Sequence, residues 1–393
     1  MKEIRSNINI IGGGLIGASV GYSLSLLGYK ITIIEKNNQY NSAKDKDHRT
    51  IAVSEGTKNF LTNIDIWPSI KNFSQPIKKI KVIDRKISNI LEFDNNRRGS
   101  NLGYIVKNKY LLDILYKKLK NNKNITILNN SLVESFQMQN DCIITNLGNQ
   151  MILSDLNIAA DGKKSSVRKY LKTPIFNKNY KKSALVLTFT HSKNHNSTAF
   201  EFFYKNGPLA ILPMQKVNNT FVSSIVWTDD SGYLEQVHKT NNKNFLSILN
   251  QNTQHVIGNI NKILTKQLFP ITAHLNTSFF KQRTIYIGDA AHSFHPIAGQ
   301  GWNLGMKDVE NLFYLAKNYK ALGIDVGDNI FCKKYHNENF YNAFRLYQVT
   351  DKLDHVFKNQ NPLLTIGRKL GLSFIQKNKK INNMISDFAM GIN

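Results

Sequence analysis

A glycine-rich stretch near the start of the chain carries the first residues whose spacing indicates chemistry. Gly12, Gly14 and Gly17 form the pattern GxGxxG between an apolar run at residues 8–11 and a helical pattern, and Glu35 ends the next apolar run. Glycines at this spacing allow a tight turn and a close approach to a pyrophosphate, while the acid accepts a hydrogen bond from a ribose hydroxyl. The motif predicts a dinucleotide site, with glycine-rich helix packing as the alternative, and does not separate FAD from NAD.

A second motif distinguishes these two cofactors. Residues 285–287 form a strand pattern that ends at Gly288 and Asp289, and a helical pattern begins after the following loop. An acid at a strand end can accept hydrogen bonds from the ribityl chain of a flavin, and helix amides would stabilise the negative charge of its reduced pyrimidine ring. The motif predicts FAD, with an ordinary helix start as the alternative. It assigns to the cofactor site Gly288, Asp289, Gly299, Gly301 and Asn303.

A third acid, Asp161, follows another strand pattern within residues 158–168. Asp161 and Arg168 are expected either to pair and fix the turn between them, or to lie at the edge of the cofactor. Arg49 supplies a cation that could meet the FAD pyrophosphate or the phosphate of an incoming nicotinamide, with a surface arginine as the alternative. We therefore assign Asp161 and Arg49 to the cofactor site as well.

The elements that must position these residues form an α/β pattern with a Rossmann-like start. Its strands and helices are predicted at residues 8–11, 18–27, 31–34, 110–120, 125–128 and 142–145. The pattern becomes β-rich between about residues 182 and 269, and helical patterns dominate from residue 303. We predict a discontinuous FAD-binding domain at 1–75, 100–180 and 270–330, a β-rich substrate lobe at 76–99 and 181–269, and a C-terminal helical segment at 331–393.

Composition excludes several classes of protein. Of the 393 residues 41% are apolar, which is enough to bury a core, and the two cysteines lie outside any zinc-binding or disulfide spacing. We therefore predict no metal site and a reducing compartment. Neither a signal peptide nor an apolar run long enough to cross a bilayer is found. The expected location is the cytoplasm, with peripheral contact to the inner face of the membrane as an extension.

The net charge of +25 raises the question of an anionic partner. The lysines are scattered among asparagines, which argues against nucleic-acid binding and leaves attraction to an anionic membrane surface open. The C-terminal segment alternates apolar residues with basic ones, among them Lys377, Lys379 and Lys380. It is interpreted either as a helix packed on the FAD domain with its basic face in water, or as a segment that docks on anionic lipid or on a partner in a biosynthetic complex.

The stretch GDAAHSFHPIAGQGWNLG at residues 288–305 resembles the ubiquinone-biosynthesis hydroxylases of the para-hydroxybenzoate hydroxylase superfamily, the group A flavin monooxygenases. The three motifs above match the markers of that superfamily, and segments at 103–108 and 370–391 extend the resemblance over nearly the whole chain. Lys109 stands where the family usually has Arg, which keeps the charge but loses bidentate geometry, and Trp302 stands where Leu is usual. By this resemblance Lys109 joins the cofactor site.

The resemblance implies that NAD(P)H reduces FAD and that one oxygen atom of O2 passes to the ring of a polyprenylated phenol. No second GxGxxG is present, which agrees with a nicotinamide that binds transiently. His295 and Pro296 are the candidate catalytic residues, although packing of His295 against the loop backbone fits equally well. Two alternatives remain: a flavin-dependent reductase or dehydrogenase of an isoprenoid substrate, and a flavin-binding scaffold without turnover.

Overall fold

The chain folds around two large β-sheets and one small one. The computed structural model describes residues 2–38, 49–84, 89–94, 100–294 and 299–358, and the single residues 378, 380, 381, 383, 384, 387, 390 and 391. His295 and Pro296, Lys377 and Lys379 lie outside the described residues.

The first sheet consists of β1 (Lys2–Ile11), β2 (Ile31–Ile34), β8 (Ile125–Leu128), β9 (Ser135–Met138), β10 (Ile143–Asn146), β11 (Gln150–Ala159) and β17 (Thr284–Tyr286). Its order is β8-β2-β1-β11-β10-β9, with β17 also paired to β11. All pairings among β8, β2, β1, β11 and β17 are parallel. Every residue of β2 is buried, which is typical of a parallel strand covered on both faces.

The helices in chain order are α1 (Leu15–Leu26), α2 (Glu55–Asn63), α3 (Trp67–Ile70), α4 (Asn108–Lys120), α5 (Ser166–Tyr170), α6 (Ser231–Lys239), α7 (Asn242–Ile257), α8 (Gln300–Ala321) and α9 (Asn329–Lys358). α1 connects β1 to β2, as the predicted βαβ unit requires, and it contacts both α4 and α8. Because neighbours cover it on several sides, α1 is buried along most of its length.

The second sheet consists of β5 (Lys79–Asp84), β6 (Asn89–Asp94), β12 (Ile175–His191), β13 (Thr198–Phe203), β14 (Pro208–Val217), β15 (Thr220–Asp230), β16 (Ile260–Asn276) and β18 (His292–Ser293). Its order is β18-β16-β12-β15-β14-β13-β5-β6. The β-rich prediction for this region missed α6 and α7, which pack on one face of the sheet. Leu234 and Val237 of α6, and Phe245 and Leu249 of α7, are buried there at helical spacing.

A small third sheet joins the two large ones. It consists of β3 (Thr50–Ser54), β4 (Ser74–Ile77) and β7 (Gly103–Lys107), in the order β3-β7-β4. Ile77 and Ile105 of this sheet share a buried cluster with Met214 and Val222 of the second sheet. The predicted domain boundaries stay a prediction. Within the described residues, no helix is long and apolar enough to cross a membrane.

Candidate cofactor site

The three predicted motifs lie at one edge of the first sheet. Ile11 of β1 is in register with Ile34 of β2 and with Ala159 of β11, and Ala159 is in register with Tyr286 of β17. Since parallel strands end on the same side, the loops that follow all four strands converge. This is the edge at which α/β sheets bind ligands.

The glycines of the first motif have two different roles. Gly12 has a φ of +105°, and a Cβ there would lie 2.5 Å from the carbonyl oxygen of Ala160. A Cβ on Gly17 would lie 1.8 Å from the carbonyl oxygen of Gly12. A Cβ on Gly14, in contrast, would meet no atom within 4 Å. Gly12 and Gly17 are therefore required by packing, whereas Gly14 faces open space at the N-terminus of α1.

Glu35 holds the glycine loop from the end of β2. Its two carboxylate oxygens accept hydrogen bonds from the backbone amides of Gly13 at 2.7 Å and Asn37 at 2.9 Å. The Tyr116 hydroxyl donates to the Gly13 carbonyl at 2.9 Å, and burial, followed by the nearby charge of Glu35, raises the pKa of this hydroxyl. A carboxylate has about four acceptor positions, so Glu35 retains capacity for ribose hydroxyls. The role of Tyr116 was not predicted from the sequence, because its position on the apolar face of α4 indicates only packing.

Asp161 fixes the turn after β11 without pairing to Arg168. Its Oδ2 accepts from the amide and hydroxyl of Ser166, at 2.7 and 2.9 Å, and from the amide of Val167 at 3.3 Å. Its Oδ1 is buried and has no hydrogen-bond partner in the part of the chain that the structure describes. The predicted ion pair with Arg168 is wrong because the first turn of α5 supplies the donors to Asp161. The cofactor role of Asp161 stays a prediction.

Arg168 instead connects the second and third motifs. Its guanidinium donates to the carbonyl oxygens of Ala290 at 3.0 Å and Lys163 at 2.7 Å, and it lies 3.0 Å from Nε2 of His274. Burial, followed by the charge of Arg168, lowers the pKa of His274 to about 3. His274 is therefore neutral and accepts a hydrogen bond from Arg168, so this cluster clamps the turn at 288–290 to α5.

Asp289 lies in a single 3-10 turn, Gly288–Ala290, at the end of β17. Its side chain is exposed, yet the protein around it raises its pKa by desolvation, against the charges of His292, Lys163 and Arg49. The carboxylate is therefore accessible to a ligand, while the surrounding protein removes part of its solvation.

Asp308 and His292 support this turn from behind. Oδ2 of Asp308 accepts from the Gly288 amide at 3.0 Å and lies 2.7 Å from Nε2 of His292, and both side chains are 1% exposed. The contact holds Gly288 at a φ of +56°. The sequence analysis gave no role to either side chain, since an acid inside a helical pattern gives no signal of its distant partner.

The side chain of Asn303 connects the start of α8 to β3 and α2. Its Oδ1 accepts from the amide of Ser54 at 2.9 Å and the hydroxyl of Thr57 at 3.0 Å. Its Nδ2 donates to the carbonyl oxygens of Ala52 at 2.8 Å and Gly299 at 3.4 Å. Because these bonds use both ends of the side-chain amide, its place in the cofactor site rests on its position at the start of α8, and that assignment stays a prediction. Asn303 fixes the first turn of α8 against β3.

The N-terminus of α8 faces the same edge of the sheet. Gly299 has a φ of +62° and caps the helix, and a Cβ on Gly301 would meet no atom of the described residues within 4 Å. Like Gly14, Gly301 therefore leaves a helix N-terminus open to an incoming group.

The two predicted cations lie beside this edge. Arg49 is exposed, immediately before β3, and its carbonyl oxygen accepts from the Asn108 amide at 3.0 Å. Its charge acts on Asp289, and Lys109 lies in the first turn of α4. Both positions suit a role toward an anionic cofactor, and that role stays a prediction for both residues.

These residues fit FAD at both ends of the molecule. Gly14 and Glu35 provide the open helix N-terminus and the ribose acceptor of an adenosine half, while Asp289 and Gly301 provide a polyol acceptor and a second helix N-terminus. The unpartnered Oδ1 of Asp161 provides a further acceptor at the same edge.

Known proteins resemble this chain over nearly its full length. The family described as FAD binding domain matches residues 5–323. The ubiquinone hydroxylase UbiL of Rhodospirillum rubrum is 26% identical over 388 residues, covering 98% of this chain and 90% of that protein. The mitochondrial ubiquinone biosynthesis monooxygenase COQ6 of Dictyostelium discoideum is 27% identical over 459 residues, covering 99% and 92%. The p-nitrophenol 4-monooxygenase PnpA of Pseudomonas putida DLL-E4 superposes with a TM-score of 0.81 at 14% identity, covering 100% and 99%. The predicted fold is thereby confirmed.

The two roles of the glycines predict opposite outcomes for Gly17→Ala and Gly14→Ala. The Cβ of Gly17→Ala overlaps the Gly12 carbonyl, so we expect the apoprotein to lose about 3 kcal/mol or more of unfolding free energy in urea titrations. Gly14→Ala should keep the stability of the wild-type apoprotein but bind FAD more weakly, measured by fluorescence titration. Wild-type affinity in Gly14→Ala would mean that the open space at Gly14 is not occupied by FAD.

Asp289→Ala removes the predicted ribityl acceptor and leaves the adenosine half of the site intact. We expect FAD affinity to fall by about 1 to 3 kcal/mol, roughly 5- to 150-fold in Kd, since ribityl hydroxyls lose their acceptor. Asp113→Ala, on the exposed face of α4, is the control of equal charge change. Equal Kd values for wild type and Asp289→Ala would show that the flavin does not reach this turn.

Proposed function

This chain belongs to the FAD binding domain family, and we propose that it is an FAD-dependent, NAD(P)H-using monooxygenase that hydroxylates the aromatic ring of a polyprenylated phenol in ubiquinone biosynthesis. The observation that carries the proposal is the accessible Asp289 facing the same sheet edge as the glycine loop and Glu35. Two relatives that align over nearly the whole chain bear the names ubiquinone hydroxylase and ubiquinone biosynthesis monooxygenase, which supports this reaction.

The chain contributes binding and orientation to this reaction. FAD supplies the redox chemistry when bound: it accepts a hydride and passes its electrons to O2. Gly14 and Glu35 would hold the adenosine half, and Asp289 would hold the ribityl chain. The open N-terminus of α8 at Gly301 would stabilise negative charge on the reduced ring system. The buried His292–Asp308 pair keeps this edge of the site in place.

The amount of O2 consumed per product distinguishes the monooxygenase from the two alternatives, a reductase or dehydrogenase and a non-catalytic scaffold. Purified wild-type protein should be yellow and should release FAD, not FMN, on denaturation. With NAD(P)H and a phenol carrying one isoprene unit, it should consume one O2 per hydroxylated product and incorporate one atom of ¹⁸O from ¹⁸O2.

Two results would contradict the proposal. Turnover of an isoprenoid double bond without uptake of oxygen would favour the reductase or dehydrogenase. Bound FAD with no phenol-stimulated oxidation of NAD(P)H would favour the scaffold.

We also propose that the enzyme reaches its substrate at an anionic membrane surface. A polyprenylated phenol partitions into lipid, and the chain carries a net charge of +25. Each lysine near such a surface can contribute about 1 kcal/mol. Lys377, Lys379 and Lys380 lie in a segment that alternates basic with apolar residues, which suits this contact.

Vesicle sedimentation tests this contact. Wild-type protein should sediment with anionic but not with neutral vesicles, and roughly 0.5 M salt should release it by screening. Replacing Lys377, Lys379 and Lys380 with Gln should abolish sedimentation without changing FAD content. The control replaces Lys117, Lys120 and Lys123, which are exposed at and beyond the end of α4, and should behave as wild type. Equal loss in both variants would point to net charge rather than to the C-terminal segment.

A further inference from the structure

Glu201 lies on the face of the second sheet that is opposite its helices. Side chains alternate along β13, and Phe200 and Phe202 pack in the cluster beneath α6 and α7. Ala199 and Val82 pack in the cluster on the other face. Glu201 is two residues from Ala199 on the same strand and is in register with Val82 of β5. Its carboxylate therefore projects from an otherwise apolar face, away from α6 and α7.

That apolar face continues to the loop that precedes α8. Leu212 and Met214 lie two and four positions along β14 from Ala210, the register partner of Glu201, and belong to the same cluster as Ala52 of β3. A Cβ on Gly299 would lie 3.4 Å from the Cβ of Ala52. Like Glu201, the side chains of Ala210, Leu212 and Ala52 are partly exposed, so the apolar face beside Glu201 borders the loop before α8.

The surroundings of Glu201 leave its charge unbalanced. The side chain is partly accessible, and among the described residues its carboxylate has no hydrogen-bond or ion-pair partner. Burial raises the pKa of Glu201 to about 7, with no charged group contributing. On this face, the described strands within two register positions carry one further titratable side chain, Asp84 of β5.

Glu92 on β6 shows what a structural acid of the same sheet looks like. Its carboxylate oxygens lie 3.1 Å from Nζ of Lys79 and 3.2 Å from Nζ of Lys81. Burial acts to raise the pKa of Glu92, but the two lysines outweigh it and lower the pKa. Glu201 has no such partner. An unpaired acid in an apolar environment lowers the stability of the folded protein, so such an acid indicates a ligand that binds it.

We propose that Glu201 is the catalytic base that accepts the phenolic proton of the substrate, an inference that rests on the proposed function. The phenol O–H bond breaks, an O–H bond forms on the Glu201 carboxylate, and the electron pair stays on the phenolate oxygen. The resulting phenolate is the more electron-rich ring for attack on the oxygen atom that the FAD, NAD(P)H and O2 of the proposed reaction supply. Glu201 then releases its proton to solvent as product leaves.

The raised pKa of Glu201 agrees with a role as general base. A general base is most effective when its pKa is close to the working pH, and enzymes raise glutamates to about 6 to 7 by burial for this purpose. A largely apolar face on which Glu201 is partly accessible, while Asp84 is only 2% exposed, also suits a substrate with one hydroxyl group and a long prenyl tail. A basic side chain at this position would pair with the phenolate but could not accept its proton while charged.

Variants Glu201→Gln and Glu201→Asp test the proposal on the FAD-loaded enzyme, with Glu92→Gln as the matched control. The substrate probe is the phenol carrying one isoprene unit, and kcat/KM for its hydroxylation is measured from pH 5.5 to 9. Wild type and Glu92→Gln should show an ascending limb near pH 7. Glu201→Gln should lose that limb and fall about 100-fold or more at pH 8, while FAD content stays unchanged. Glu201→Asp should restore the limb at a reduced rate.

Thermal unfolding tests the environment of Glu201 independently of turnover. The folded-state pKa lies above the unfolded value, so the stability associated with the protonated acid is present at low pH and is lost as pH rises through about 7. Glu201→Gln, which cannot ionise, should therefore have a higher Tm than wild type at pH 8.5, and the difference should close toward pH 5. Equal Tm values at both pH values would mean that the carboxylate is solvated or paired, and would overturn the proposal.

The kinetic measurements distinguish a failure of the base assignment from a failure of the proposed function. If wild type hydroxylates the phenol and Glu201→Gln keeps the wild-type rate and pH limb, the base assignment fails while the proposed function stands. If wild type oxygenates no phenol, the proposed function fails and the assignment fails with it.

Discussion

A hydrogen-bonded pair of buried asparagines sets the register on which the site depends. Asn9 of β1 lies opposite Asn157 of β11, its Nδ2 donates to Oδ1 of Asn157 at 3.0 Å, and both side chains also bond Thr145 of β10. All three residues are fully buried. A slip of one residue would leave these polar groups without partners and turn each side chain to the other face, so the register is strongly fixed. This register aligns Ile11, Ala159 and Tyr286 at the ends of their strands. The positions of the loops that follow these strands therefore depend on the asparagine pair.

The carboxylates at that edge divide by what their oxygens bind. Oδ2 of Asp308 and Oδ2 of Asp161 bind backbone amides or buried partners, and they hold turns in place. Among the described residues, Asp289 and Oδ1 of Asp161 have no such partner, Oδ1 of Asp308 is likewise unpartnered behind the turn, and Glu35 keeps acceptor capacity beyond its two amides. The partnered carboxylate oxygens make the loops rigid, and the unpartnered ones can accept hydrogen bonds from a ligand. Rigid loops matter because a cofactor held by few polar contacts is oriented only as well as those contacts are fixed.

The acids and glycines assigned to the site could be proposed from the sequence because each one is local to its motif, and the fold brings these motifs to one sheet edge. A glycine at a tight turn and an acid at a strand end have a meaning that their neighbours reveal. Contacts between distant segments have no such signal: Asp308 resembles any helix acid until the fold places it 2.7 Å from His292. The side-chain bonds of Asn303 were not predicted, since its partners lie about 250 residues earlier on β3 and α2. The two helices of the second sheet were missed because long strands surround them.

Two accessible acids without protein partners, Asp289 and Glu201, share one electrostatic situation. Burial raises the pKa of both, and neither is balanced by a directly bonded cation in the described structure. Glu92 is different, since it pairs with both Lys79 and Lys81 in a chain whose net charge is +25. Each open acid therefore lowers the stability of the ligand-free protein at neutral pH, and hydroxyl donors of a cofactor or substrate would recover that loss on binding. The accessible carboxylates of Asp289 and Glu201 are thus better explained by the ligands that bind them than by the packing of the fold.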